Sequence, residues 1–146
     1  MKAISLWQPW ASLMVIGLKK NETRSWATKY RGLLAIHASK KVVPFKDAFG
    51  HLPVTLQKFL MDRIVEHYGC YSNLPTGAVL GTVNVKGCVD TEFGRFVSGE
   101  TELACGDYTD GRFAWLTDDS FKFDKPIPAK GMQGFWNWDG EVLGDE

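Results

Sequence analysis

The spacing of apolar positions changes from segment to segment along the chain, and the changes mark its elements. Residues 2–6 are a short apolar run that reads as a first strand. Pro9 suits the first turn of a helix, where its missing N–H is not needed. Ala11, Leu13, Met14 and Ile16 continue that helix until Gly17 ends it. At about two and a half turns, such a helix persists only if packed against a body. Residues 22–25 and 32–38 read as strands joined through a polar turn at 28–31, and 44–50 as a helical turn. The clearest long helix is 53–68, where Val54, Leu56, Phe59, Leu60, Ile64, Val65 and Tyr68 recur at helical spacing before Gly69. Residues 77–89 are Val-rich, alternate in part and predict a long strand. Residues 90–111 read as a polar, Gly-containing loop. Residues 111–116 and 121–123 follow as a strand pair turning at Asp118-Asp119, and 126–138 end in a turn and a short aromatic strand.

About six short strands with one long and one short helix predict an α+β fold, mainly β: a small, partly open β-barrel with flanking helices. The 146 residues fit one domain, 1–146, able to bury its own core without metal or disulfide. Fifteen glycines and six prolines agree with many turns. No apolar run reaches the ~18 residues of a membrane span, so no membrane role is expected. Cys70, Cys88 and Cys105 form no CxxC pair, and with His37, His51 and His67 they lack the paired spacing of zinc modules; neither metal nor cofactor is expected. An odd cysteine count without a signal peptide predicts a reducing, cytoplasmic setting.

Net charge is zero, which argues against a general polyanion binder, yet the charge is unevenly placed. Residues 1–50 carry nine Lys/Arg against two acids and the remainder eight against fifteen. Either the two sets intermix on a solvated surface or the first gathers into one basic face that attracts an anionic ligand.

Candidate chemistry concentrates after the first helix. Glu22 and Arg24, two apart on a strand, share one face, and Lys19 approaches from the turn. Two cations and a carboxylate can hold a phosphate or a base edge; they can shuttle protons in a hydrolysis; or they are a surface ion pair of little value. Trp7, Trp10 and Trp26 bracket the cluster. Most tryptophans are expected in the core, with Trp10 or Trp26 the exceptions able to stack on a base. Gln8 either caps the helix or reads a base edge. Lys40 and Lys41 follow the strand predicted over 32–38, and Lys130 precedes a glycine that lets backbone approach a ligand. His37 reads as a satisfied strand residue. Walker, GxSxG, HExxH and GxGxxG patterns are absent from the sequence.

Gly17-x-Lys19-x-x-Glu22-x-Arg24 resembles the G-x-K-x-x-E-x-R signature of the ASCH domain, a family related to the PUA-like RNA-binding barrels. The resemblance continues through Ser5-Leu6-Trp7-Gln8-Pro9-Trp10-Ala11-Ser12-Leu13, Arg24-Ser25-Trp26, Arg31-Gly32, strand 77–89, and Pro126-Ile127-Pro128-Ala129-Lys130-Gly131 with Trp136. It implies a PUA-like barrel whose cleft is lined by Lys19, Glu22 and Arg24, with Gln8, Trp10 and Trp26 nearby, and a role in binding RNA or other nucleic acid. Small bacterial members similar to this domain remove the acetyl group of N4-acetylcytidine with a Lys, a Thr and a Glu. Lys19 matches the first of these, whereas Glu22 stands where the Thr would be. Two functions are therefore expected in competition. One is a nucleic-acid-binding module using Gln8, Trp10, Lys19, Glu22, Arg24, Trp26, Lys40, Lys41 and Lys130. The other is a small hydrolase of a nucleoside-like molecule, with Lys19 and Glu22 as the proton-handling pair.

Overall fold

The first apolar run becomes strand β1 (Lys2–Gln8), with Ala3, Ile4 and Leu6 buried and Trp7 half exposed. Helix α1 (Trp10–Val15) follows a cis Gln8–Pro9 peptide. Ala11, Leu13 and Met14 in it are fully buried. Met14 packs with Ile4, Leu34 and Ile36 from the sheet, and Leu13 packs with Phe49, Leu60 and Ile64 on its other side. A helix too short to stand alone is thus held between two apolar clusters. Gly17 closes it at φ +81°, a left-handed geometry suited to glycine, and the N–H groups of Leu18 and Lys19 both reach the Leu13 carbonyl at 3.0 Å.

Strand β2 (Asn21–Arg24), strand β3 (Gly32–Val42), helix α2 (Phe45–Phe49), helix α3 (Val54–Tyr68) and strand β4 (Ala78–Asp90) come next, close to the predicted positions. The buried stripe of α3 is narrower than its spacing suggests: Leu56, Leu60 and Ile64 are buried, while Val54, Phe59 and Val65 are exposed. The computed structural model describes residues 1–140. Residues 141–146, the end of the domain expected over 1–146, lie outside the described residues.

Two expectations are corrected. The loop predicted over 90–111 contains helix α4 (Thr91–Val97) and helix α5 (Glu100–Ala104). Asp90 caps α4 by accepting from the Phe93 N–H at 2.8 Å. The apolar residues Phe93, Phe96 and Val97 stay exposed, so the segment shows no buried periodicity. The strand pair predicted around Asp118-Asp119 is one strand, β5 (Phe113–Pro128). Asp119 takes φ +49° without reversing the chain, and the extra residues are absorbed by register shifts against β4. Strand β6 (Trp136–Asn137) ends the described sheet.

The sheet runs β2-β5-β4-β3-β1-β6, antiparallel throughout except for the parallel β1–β3 pair. Its end strands β2 and β6 do not pair with each other, so the mixed α+β fold is a partly open barrel with flanking helices. Side chains bridge the seam instead. Arg24 Nη2 donates to the Ser5 carbonyl of β1 at 3.0 Å. The Trp26 ring, just beyond β2, lies 5.4 Å from Phe135 before β6 and 4.6 Å from Trp115 of β5. Arg24 and Trp26, two of the candidate residues, thus sit at this seam.

Candidate functional site

The left-handed turn at Gly17 delivers Lys19 to the start of β2, and the two-residue alternation of β2 places Glu22 and Arg24 on the same face. Lys19 Nζ lies 3.6 Å from Glu22 Oε1 and donates to the Asn21 carbonyl at 2.6 Å. Arg24 approaches Glu22 Oε2 from the opposite side, through Nε at 3.0 Å and Nη2 at 2.9 Å. Lys19 is 2% and Glu22 7% exposed, so the trio is not a solvated surface pair. Withdrawn from water, the carboxylate needs both cations and each cation needs it. Arg24 Nη1 has no hydrogen-bond partner among the described residues.

The turn carrying Lys19 is clamped by the segment expected to be a loop. Glu102 of α5 accepts from the Lys20 N–H at 2.9 Å and the Asn21 N–H at 2.6 Å. The Asn21 amide donates to Tyr108 Oη at 3.1 Å, and Thr117 Oγ1 donates to the Lys20 carbonyl at 2.6 Å. Thr23 accepts through Oγ1 from the Asp107 N–H at 3.0 Å and through its carbonyl from Arg112 Nη2 at 3.1 Å. Sequence reasoning missed Glu102, Tyr108, Thr23, Asp107 and Arg112. The available signal was Asp90 ahead of Thr91 and two glutamates near a helix start, both N-terminal helix marks.

Of these residues, Lys19, Glu22, Thr23, Arg24, Asp107 and Arg112 line a cleft of about 1640 Å³. Lys19, Arg24, Lys40, Arg112 and Lys130 line it against two carboxylates, Glu22 and Asp107, so cations are in excess. Trp7, Trp10 and Trp26 also line it. Of the two tryptophans expected as exceptions to the core, Trp26 is 36% exposed, and Trp7, which was not singled out, is more exposed at 51%. Trp10 is half buried with its edge on Phe49. Lys41 does not line the cleft; its ammonium sits 3.6 Å from the centroid of the Trp7 ring at the mouth. Ser39 Oγ, on the lining, is buried without a hydrogen-bond partner among the described residues.

Gln8 is a second correction. It is fully buried, with Oε1 accepting from the Ser12 N–H at 3.0 Å and Nε2 donating to Ser12 Oγ at 2.7 Å and to the Pro75 carbonyl at 2.8 Å. It holds the start of α1 and offers no edge to a ligand. His37 is buried and satisfied. Its Nε2 faces the Ala129 carbonyl at 2.8 Å, which only accepts, so Nε2 carries the proton and Nδ1 accepts from Ser5 Oγ at 2.9 Å. Trp136 Nε1 donates to the same Ser5 oxygen at 3.1 Å. A Cβ on Gly131 would stand 2.4 Å from Ser5 Oγ, so glycine is required where the 129–134 segment crosses this network.

Burial pushes the Cys105 thiol up to about 11, partly offset by the Lys19 charge, so this cleft-lining cysteine is a protonated wall at neutral pH. Hydrogen bonds from Thr109 hold the Asp107 carboxyl below its ordinary value. The three cysteines are unpaired. No three His, Cys, Asp or Glu side chains gather at metal-binding distance among the described residues, and no helix there is long and apolar enough to cross a membrane.

The ASCH domain family model matches residues 4–127. The chain is 30% identical over 139 residues to activating signal cointegrator 1 of Homo sapiens and, to the same extent, of Mus musculus; the match covers 95% of this chain and 22% of each relative. The chain therefore spans about a fifth of the length of those proteins. A crystal structure of ASCH from Zymomonas mobilis is similar at 20% identity and a TM-score of 0.49, covering 87% of this chain and 72% of that one; so distant a likeness does not bear on the cleft.

Proposed function

The chain belongs to the ASCH domain family, and from that premise we propose that it binds nucleic acid, RNA or another single strand, in the cleft framed by Lys19, Glu22 and Arg24. The observation that carries this reading is the excess of cations beside three tryptophans in one opening. Lys40 and Lys130 on the lining and Lys41 at the mouth suit phosphates, while Trp7 and Trp26 offer faces on which an unstacked base can lie. Gln8 has no part in this reading. Titration of a labelled single-stranded RNA and a single-stranded DNA at about 50 and about 500 mM salt tests it. Binding that weakens steeply with salt is expected; no binding at low salt, or equal affinity at both, refutes it.

A second reading, a small hydrolase of a modified nucleoside such as N4-acetylcytidine, draws support from one contact, the buried approach of Lys19 to Glu22 at 3.6 Å within the cleft. Lys19 and Glu22 would be its proton-handling pair. Deacetylation of N4-acetylcytidine, followed by chromatography, tests it. Activity that Lys19→Ala abolishes supports it, and activity unchanged in that variant removes the role.

A further inference from the structure

Helix α4 is inverted. A surface helix ordinarily buries its apolar stripe and shows its polar one. In α4 the buried residues are Thr91 and Gly94, while Phe93, Phe96 and Val97 stand 53%, 87% and 54% exposed. These three are spaced i, i+3 and i+4, so they form one outward stripe. The packed face is fixed by specific contacts. Thr91 Oγ1 donates to the Thr109 carbonyl at 2.8 Å, Arg95 Nη1 donates to the Tyr108 carbonyl at 2.6 Å, and Arg95 Nη2 lies 2.7 Å from Asp110. A Cβ on Gly94 would stand 3.3 Å from the Tyr108 ring and 3.4 Å from Ala114, so this glycine lets the helix lie close on that side. Turning the helix to bury its phenylalanines would break the Thr91 and Arg95 contacts. The outward stripe is therefore held in place by the fold and departs from the usual avoidance of exposed apolar groups.

We propose that the Phe93–Phe96–Val97 stripe docks a short, basic amphipathic helix of a protein partner. Charge sets the sign of that partner. Residues 90–110 hold six acids, Asp90, Glu92, Glu100, Glu102, Asp107 and Asp110, against one cation, Arg95, in a chain that is neutral as a whole. Asp90, Glu92, Glu100 and Glu102 have no cationic partner among the described residues. Glu92 is exposed one turn before Phe96, on the rim of the stripe. Such surroundings repel the phosphates of a nucleic acid and attract Lys and Arg, which places this face apart from the cation-rich cleft. Size sets the kind of partner. Three side chains offer less than the roughly 800 Å² per partner of a stable interface between folded proteins, so a second copy of the chain is too large an occupant for them. A helix whose own apolar residues recur at i, i+3 and i+4 matches the stripe and leaves its Lys and Arg beside Glu92.

The test titrates the full, 15N-labelled chain by NMR with three synthetic peptides of one length: a Leu/Lys peptide with Leu at helical spacing, a scramble of it with no apolar face, and a Leu/Glu peptide of the first spacing. The helical Leu/Lys peptide is expected to bind roughly tenfold or more tighter than either control, with amide shifts centred on residues 93–97. Phe96→Ser changes a side chain that is 87% exposed, so the fold is expected to persist, as the same spectra show. That variant is expected to weaken the peptide about fivefold or more and to leave RNA affinity within about twofold. Equal binding of the Leu/Lys and Leu/Glu peptides, shifts centred elsewhere, indifference to Phe96→Ser, or no binding of any peptide overturns the proposal. Self-association of the parent that Phe96→Ser abolishes, read by sedimentation, overturns it in favour of a second copy, and loss of RNA affinity in that variant overturns it in favour of nucleic acid.

Discussion

Replacing Glu22 by Ala takes away the carboxylate between Lys19 and Arg24 and leaves two cations without their shared counter-charge. Lys19, 2% exposed, keeps one bond, to the Asn21 carbonyl at 2.6 Å. Removing one partner of a buried ion pair costs roughly 3–5 kcal/mol. The Arg24 side chain is 24% exposed, so water relieves part of its share, and the net cost is about 2–4 kcal/mol. In a chain of this size that lowers Tm by roughly 5–15 °C. Thermal unfolding followed by circular dichroism, with urea unfolding in parallel, measures it. The double variant Lys19→Met/Glu22→Leu fills the site with apolar groups of similar volume and is expected to recover the Lys19 share of that loss, while Arg24, its side chain 24% exposed, stays without its counter-charge. A Glu22→Ala cost below about 1 kcal/mol, the range of exposed ion pairs, would refute the burial of the trio.

Gln8→Ala strands the Pro75 carbonyl and the Ser12 N–H, so urea unfolding is expected to show a loss of roughly 1–3 kcal/mol while RNA affinity of the folded protein stays within about twofold; lost affinity at unchanged stability would restore Gln8 as a ligand contact. Glu102→Ala frees the Lys20 and Asn21 amides, which are expected to exchange hydrogen faster by NMR and to cost about 1–2 kcal/mol; unchanged protection would contradict the clamp. Burial raises the Cys105 thiol to about 11 and the Tyr71 and Tyr108 phenols to about 12 each. The folded chain thus keeps protons that the unfolded chain has already released, and stability is expected to fall as pH rises from 9.0, the ordinary thiol value, through those raised values. A melting temperature level to about pH 11 would contradict this.

The trio was legible because its determinants are local. A glycine stop sets the position of Lys19, and strand alternation sets Glu22 and Arg24 on one face. The same reasoning reached α3 and β4, whose patterns extend over many residues. It failed at α4 and α5 because Phe93, Phe96 and Val97 are exposed and Gly94 and Gly99 dilute helix propensity, so no buried stripe exists to be read. Asp118-Asp119 has turn composition, and only the register against β4 shows that β5 runs straight through it. Whether Gln8 caps or reads an edge depends on Pro75, 67 residues away. The clamp of Glu102 on the β2 turn crosses more than 80 residues, and no local spacing encodes it.

Binding of a labelled single-stranded RNA to the parent and to folded Lys19→Met/Glu22→Leu, at low and high salt, bears most directly on the cleft. The parent is expected to bind with affinity that falls as salt rises, and the double variant, of equal net charge, to lose roughly tenfold or more at low salt. Equal binding by the two proteins would place the nucleic acid elsewhere on the surface and contradict its seating at Lys19, Glu22 and Arg24.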